Sequence, residues 1–187
     1  EAGHFAREIA PVTVKDAKGK EVTVSADEHP RPGATIEALR ELPLVFPKVE
    51  GQDGIITAGT SSGITDGGAA VVLSSASWAA SRGITPGARI VGWASAGVEP
   101  RVMGIGPVPA IEKLQKKTGI RVEEYDLVEL NEAFAAQVLA VLRDVPIPGD
   151  RLNVNGGAIA LGHPIGATGA RIVVTLLHEM ERRDVKR

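Results

Sequence analysis

The sequence has 187 residues, 43% of them apolar and 24% charged, with a formal net charge of -2, a composition that suits one soluble globular domain or a little more. That charge argues against a general nucleic-acid binder, and the absence of cysteine excludes disulfides, thiolate metal sites and a cysteine nucleophile within these residues. No apolar run nears the roughly 18 residues of a membrane span, and aromatic residues at 3% are too few for base-stacking platforms.

The opening EAGHFAREIA lacks a basic region followed by an apolar one, so it does not read as a secretory signal, and a cytoplasmic location is the default expectation. VTVKDAKGKEVTV (12–24) predicts a hairpin, with valines alternating with polar residues on both sides of a Lys-Gly turn. Pro11, Pro30, Pro32, Pro43 and Pro47 break up the first 50 residues, which otherwise look irregular and polar. Residues 1–53 are therefore an excursion from a domain, and the domain itself is expected over 54–187.

From residue 54 the pattern alternates strand and helix. GAAVVLSS (68–75) is a buried-strand candidate, and SASWAASRG (75–83) predicts a short helix between an N-cap Ser75 and Gly83. ARIVGWASAG (88–97) predicts a strand. PVPAIEKLQKKTG (107–119) predicts a helix with prolines at its start, Ile111 and Leu114 inward, and Gly119 past its end. DLVEL (126–130) predicts a strand, AFAAQVLAVLRD (133–144) a buried helix, LNVN (152–155) a strand, and ARIVVTLLHEMERR (170–183) a helix with Ile172, Val173, Leu176, Leu177 and Met180 on one stripe. This alternation implies an α/β fold with a mostly parallel sheet. In such sheets function collects where strands end and helices begin, which singles out Asn131-Glu132 and the glycine-rich loop after residue 155.

That loop, NVNGGAIALGHPIGATGARI (153–172), has neither the lysine of a phosphate-binding P-loop nor a G-x-G-x-x-G dinucleotide fingerprint. Its glycines suit close approach of backbone to a ligand or to other strands. His163 lies between Gly162 and Pro164, held either as a structural turn residue or as a rigid proton shuttle. His4, His29 and His178 lack that setting and read as surface residues. Asn131 suits a helix N-cap or a carboxamide that holds a water at an oxyanion. No histidine or cysteine partners stand near Asp126, Glu129 or Glu132 at metal-ligand spacing, so no metal is expected. TAGTSSGITDGGAA (57–70) is a second small-residue loop, suited to a tight turn or to a long thin ligand, and no nucleophile elbow occurs.

Three stretches taken together go further. NEAFAAQ (131–137), NVNGGAIALGHPIGATGARI (153–172) and TAGTSSGITDGGAA (57–70) closely resemble thiolases, the acetyl-CoA acetyltransferase and 3-ketoacyl-CoA thiolase family, with DEHPRPGAT (27–35) and VMGIGPVPA (102–110) as supporting segments. The resemblance implies a thiolase-like C-terminal half, a mixed sheet covered by helices running βαβαβαβ without its last strand, preceded by part of a CoA-covering loop domain. It also implies that the first half of the subunit is missing, with its nucleophilic cysteine, and that a last strand with a Cys-x-Gly motif would follow. A chain without either cysteine is expected to be inactive alone.

The implied activity is acyl transfer, interconverting two acyl-CoA molecules with 3-ketoacyl-CoA and free CoA. By the resemblance, His163 takes the thiol proton and binds the thioester oxygen, and Asn131 holds a water beside it. Ser62, Ala58 and Gly63 resemble the loop against the pantetheine arm, and Arg31 the arginine near adenine and phosphates. Leu42 and Phe46 resemble loop-domain residues over the ligand, and Met103, Ala133 and Phe134 the lining of the reactive end. The expected partners are acyl-CoA and CoA, the missing N-terminal half, and further copies in a homodimer or homotetramer. No permanent cofactor, nucleic acid or membrane is expected. Competing readings are a non-catalytic CoA-binding or assembly half-module and a lipid-carrier-associated thiolase.

Overall fold

The computed structural model describes residues 3–187, so the first two residues of the opening stretch lie outside it. The fold is α/β, with six α-helices and two short hairpins among the described residues. Strands β1 (Val12–Lys15) and β2 (Glu21–Val24) pair antiparallel, as the valine alternation predicts, with Val12 opposite Val24 and Val14 opposite Val22. The Asp16 side chain closes their turn by accepting from the Lys18 and Lys20 amides at 2.8 and 2.9 Å.

The proline-rich stretch is more ordered than its composition suggests. It holds α1 (Ile36–Arg40), capped by the Thr35 hydroxyl, and a two-residue pairing of β3 (Lys48–Val49) with β4 (Gln52–Asp53). Leu44 bridges Thr57, and Val45 N–H donates to Ile56 O at 2.8 Å. The excursion is thereby tied to the loop that follows it.

Local capping signals place the next helices. Ser75 accepts from the Trp78 amide and starts α2 (Ala76–Ser81). Helix α3 (Pro107–Thr118) has Pro107 in its first turn and ends on a left-handed Gly119, the asymmetry that proline and glycine prefer. A 3₁₀ helix, Pro100–Ile105, precedes it and packs on α4 (Ala135–Asp144).

The sheet is less developed than the strand-helix alternation predicts. Residues 126–130 and 152–155 do pair in parallel, through a Val128–Leu152 bridge with Val128 N–H to Arg151 O at 2.8 Å and Asn153 N–H to Val128 O at 2.9 Å. Residues 68–75 and 88–97 form no strand. Their continuous apolar runs suit a strand covered on both faces, but Val72 is 95% exposed and Trp93 70%. Lysines of α3 cap two carbonyls of the second run, Lys113 at Ser95 O and Lys117 at Trp93 O.

The apolar core is small. Val138 and Val141 on α4, then Val145 and Ile147 just beyond it, are buried together with Leu127, Ala79 and Ala158. Helix α6 (Thr168–Arg183) starts two residues earlier than its apolar stripe predicts and buries a polar face, Thr168, Thr175 and Glu179. The N-terminal segment and the glycine loop cause this: Thr175 Oγ1 donates to Glu8 at 2.8 Å, and Glu179 accepts from Asn155, Arg182 and Arg183. No described helix is long and apolar enough to cross a membrane.

Candidate active site

Three loops meet around His163. The Ser62 amide donates to Ala133 O at 3.0 Å, the Ala135 amide to Thr60 O at 2.9 Å, and Ser61 bridges Phe134. The His163 amide donates to Gly63 O at 2.8 Å. Backbone hydrogen bonds therefore bring Ser62, Gly63, Ala133, Phe134 and His163 together, although 101 positions separate the first residue from the last.

The His163 side chain is oriented from below. Its Nδ1 lies 2.7 Å from the hydroxyl of Thr168, which is only 4% exposed. That hydroxyl donates to Pro164 O at 3.0 Å. A hydroxyl has one hydrogen, so with that hydrogen on Pro164 O it accepts from the ring, and Nδ1 is then the protonated nitrogen. The neutral imidazole thus keeps its lone pair on Nε2. Gly162, just before it, has φ of 95°, a left-handed conformation that glycine adopts without strain. A short helix, α5 (Ala158–Leu161), fills the loop between the glycines.

Asn131 is not a helix cap. Helix α4 begins later, with Phe134 at its N-cap position and no side-chain cap. The Asn131 Oδ1 atom is buried and has no hydrogen-bond partner among the described residues. An unpaired buried acceptor is costly, so such an atom calls for a water or a ligand donor.

The neighbours of Asn131 are tightly held. Asn153, at φ 45°, accepts from the Leu130 amide and donates to Leu130 O, both at 2.8 Å, and donates to Glu132 Oε1 at 3.0 Å. The other Glu132 oxygen accepts from the Ile159 amide at 3.2 Å. Gly157 lies directly against this carboxylate, where a Cβ would stand 2.1 Å from Glu132 Cδ. Sequence reasoning singled out Glu132 together with Asn131 but gave it no holding role, and it missed Asn153, whose contacts with Leu130 and Glu132 span more than 20 positions. Close by, burial pushes the Glu129 carboxyl up to about 7; Arg171 pulls against this, and the carboxylates of Glu132, Glu8 and Glu179 add to it.

The remaining expected residues divide. Leu42 packs with Leu39 over Gly59, beside Ala58 in the Thr57–Thr60 turn. Met103 is 74% exposed on the 3₁₀ helix that packs on α4, and its neighbour Gly104 lies against Gln137. Phe46 lines a pocket of about 410 Å³ with Glu50, Asp53, Ile55 and Ile56. Arg31 is exposed in a turn closed by the Ala34 amide at 3.3 Å. Of the other histidines, His4 is exposed, but His178 is half-buried on α6 and His29 is half-buried beside Gly63. The surface reading of His29 is corrected by its packing on Gly63, and His178 is half-buried rather than exposed. Among the described residues no group of three potential metal ligands comes together.

Residues 84–187 match the family model described as "Thiolase, C-terminal domain", and residues 1–77 match "Thiolase, N-terminal domain". A beta-ketoadipyl-CoA thiolase of Pseudomonas aeruginosa is 51% identical over 189 residues, covering 100% of this chain and 46% of that protein. Among solved structures, the acetyl-CoA acetyltransferase of Bacillus anthracis superposes with a TM-score of 0.93 at 49% identity, over 98% of this chain and 45% of the other. Human mitochondrial 3-ketoacyl-CoA thiolase in complex with CoA superposes with a TM-score of 0.84 at 44% identity, over 98% and 44%. The chain spans about half the length of the curated relatives it matches.

Proposed function

The chain belongs to the thiolase family, and from that premise we propose that it carries the histidine and asparagine part of a site that interconverts two acyl-CoA molecules with 3-ketoacyl-CoA and free CoA. The observation that carries this reading is the Nδ1–Thr168 contact at 2.7 Å, which leaves Nε2 of His163 as a base. Thioester exchange needs a thiolate, and a thiol becomes one by giving its proton to a nearby imidazole. The sequence contains no cysteine, so the thiol comes from outside these residues, and the 187-residue chain alone is expected not to turn over.

His163 then keeps that proton on Nε2 while a second acid/base from outside these residues protonates the departing CoA thiolate and afterwards takes the α-proton of the second acyl-CoA, and the Nε2–H donates to the oxygen of the enolate so formed. Asn131 Oδ1, buried and unpaired among the described residues, accepts one hydrogen of a water whose other hydrogen points at the same oxygen. Both donors are aimed at charge that develops only in the transition state. Ser62, Gly63 and Ala58 face the pantetheine arm, Leu42 covers it, and Arg31 meets the phosphate end. Met103, Ala133 and Phe134 border the acyl group. Phe46, in the same proline-rich stretch as Leu42 and lining a pocket of about 410 Å³, is placed with it over the ligand.

The test is condensation of acetyl-CoA by the full-length protein. Asn131→Ala should lower kcat about a hundredfold, the equivalent of about 3 kcal/mol, and His163→Ala at least as much, with circular dichroism unchanged. Wild-type rates in both variants would refute the assignment. Measurable acetoacetyl-CoA thiolysis by the 187-residue chain alone would refute the expected dependence on an outside thiol.

A further inference from the structure

The roles above leave out one imidazole that stands where three segments of the site meet. His29 lies two residues before Arg31, in the loop that leads into α1. Its ring is half-buried with the Cε1 edge against Gly63: a Cβ there would stand 2.2 Å from Cε1, 2.9 Å from Nδ1 and 3.0 Å from Nε2. Any side chain at position 63 would require the ring to move. The His29 Nε2 atom lies 3.3 Å from the carbonyl oxygen of Ile159. A carbonyl only accepts, so Nε2 carries the hydrogen.

Both contacts fall on backbone that holds the site together. The Gly63 carbonyl that His163 N–H bonds belongs to the residue under the ring. Ile159 is held from its other side, where its amide donates to Glu132. One side chain therefore spans the segment of Arg31, the loop of Ser62 and Gly63, and the glycine loop of His163.

We propose that His29 is a positioning residue that clamps the Arg31 segment onto these two loops, so that binding of the phosphate end of a CoA thioester is coupled to the placement of His163. The proposal rests on the thiolase reading of the site. A ring that only filled space would be replaced by phenylalanine without loss. The Ile159 bond needs a donor, and glutamine carries one at similar reach.

The experiment is a double-mutant cycle on the full-length protein with acetoacetyl-CoA and CoA as substrates. His29→Phe should raise the KM for the thioester about threefold to tenfold, the size expected for one lost hydrogen bond, with a smaller change in kcat. His29→Gln should return KM to within about twofold of wild type on the same argument. Arg31→Ala should raise KM on its own, and adding His29→Phe to it should raise KM by less than the product of the two single effects, because coupled residues are not additive. Multiplicative effects, or an unchanged KM in His29→Phe, would overturn the proposal.

Hydrogen exchange separates a failed clamp from a failed reading of the site. If the wild-type protein shows no acyl-CoA turnover, the thiolase reading falls. The clamp is still tested: peptides over 60–66 and 157–164 should exchange faster in His29→Phe and recover in His29→Gln, while α3 stays unchanged. Equal exchange in all three proteins would overturn the clamp itself.

Discussion

Thr168 decides which nitrogen of His163 is basic. Its hydroxyl is buried, spends its hydrogen on Pro164 O and accepts from Nδ1. Thr168→Val keeps the shape but removes the acceptor, so the Nε2–H tautomer, which has no lone pair on the nitrogen proposed to take the proton, becomes populated. In the full-length protein, kcat for thiolysis should fall roughly tenfold to a hundredfold, part of what general acid–base catalysis contributes. Thr168→Ser should restore most of it. Steady-state kinetics of the two variants check this, and equal rates in wild type and Thr168→Val would remove the tautomer argument. The sequence shows His163 plainly, between Gly162 and Pro164. It does not show why Thr168, the first residue of α6, matters to it.

Helix α4 joins the site to the core. Its N-terminal side carries Ala133 and Phe134, which pair with the Ser62 loop, and its middle carries Val138 and Val141 inward. Val141 is 0% exposed. Val141→Ala should destabilise the chain by about 2–3 kcal/mol, for two lost methyl groups and the cavity they leave. Leu139→Ala, at a position 64% exposed, should cost less than about 0.5 kcal/mol. Urea unfolding of the two variants compares them, and equal midpoints would contradict the packing described. The helix-period pattern over 133–144 was sufficient to place this element. The face of α6 was not legible in the same way: its apolar stripe pointed to Val173 and Leu176, while the structure buries Thr175 and Glu179. Partners more than 100 residues away, such as Glu8, made polar burial favourable there.

The chain as a whole exposes 13483 Å², whereas a folded monomer of 19.5 kDa exposes about 8,500 Å². Val72, Leu73, Ile90, Val91 and Trp93 are among the apolar side chains left uncovered, and exposed apolar surface in excess binds other polypeptide or aggregates. The 187-residue chain alone should therefore bind an apolar dye and elute from size exclusion as more than a monomer. A clean monomer without dye binding would count against this surface.

Its stability should also respond to pH in two opposite windows. Burial holds the Glu129 carboxyl at about 7, above the ordinary 4.5. The folded state therefore favours its protonated form; that contribution is full below about pH 4.5 and is lost as pH rises through about 7. Glu179 runs the other way. Burial raises it, but hydrogen bonds from Arg182, Asn155 and Arg183 outweigh this and hold it at about 2. Its contribution is present above pH 4.5 and is lost as pH falls toward 2. Glu129→Gln should flatten the upper window and leave the lower one, as read by urea midpoints from pH 3 to 8. An unchanged slope between pH 5 and 7.5 would exclude Glu129 as its source.

The sequence by itself determined the elements whose signals are local and the family to which they belong. The hairpin at 12–24, the caps at Ser75 and Gly119, and the glycine loop around His163 depend on residues a few positions apart, and hydrogen bonds of that range form wherever those residues stand. Only the tertiary structure decided the clamps. Glu132 with Asn153 and Ile159, Thr175 with Glu8, and His29 with Gly63 and Ile159 join residues from 21 to 167 positions apart. No pattern within a window of sequence encodes such contacts, because their free energy exists only once loop closure has been met and water excluded. The same reason left residues 68–75 and 88–97 as strand candidates without a ladder: a strand is completed by its neighbour, and local propensity does not supply one.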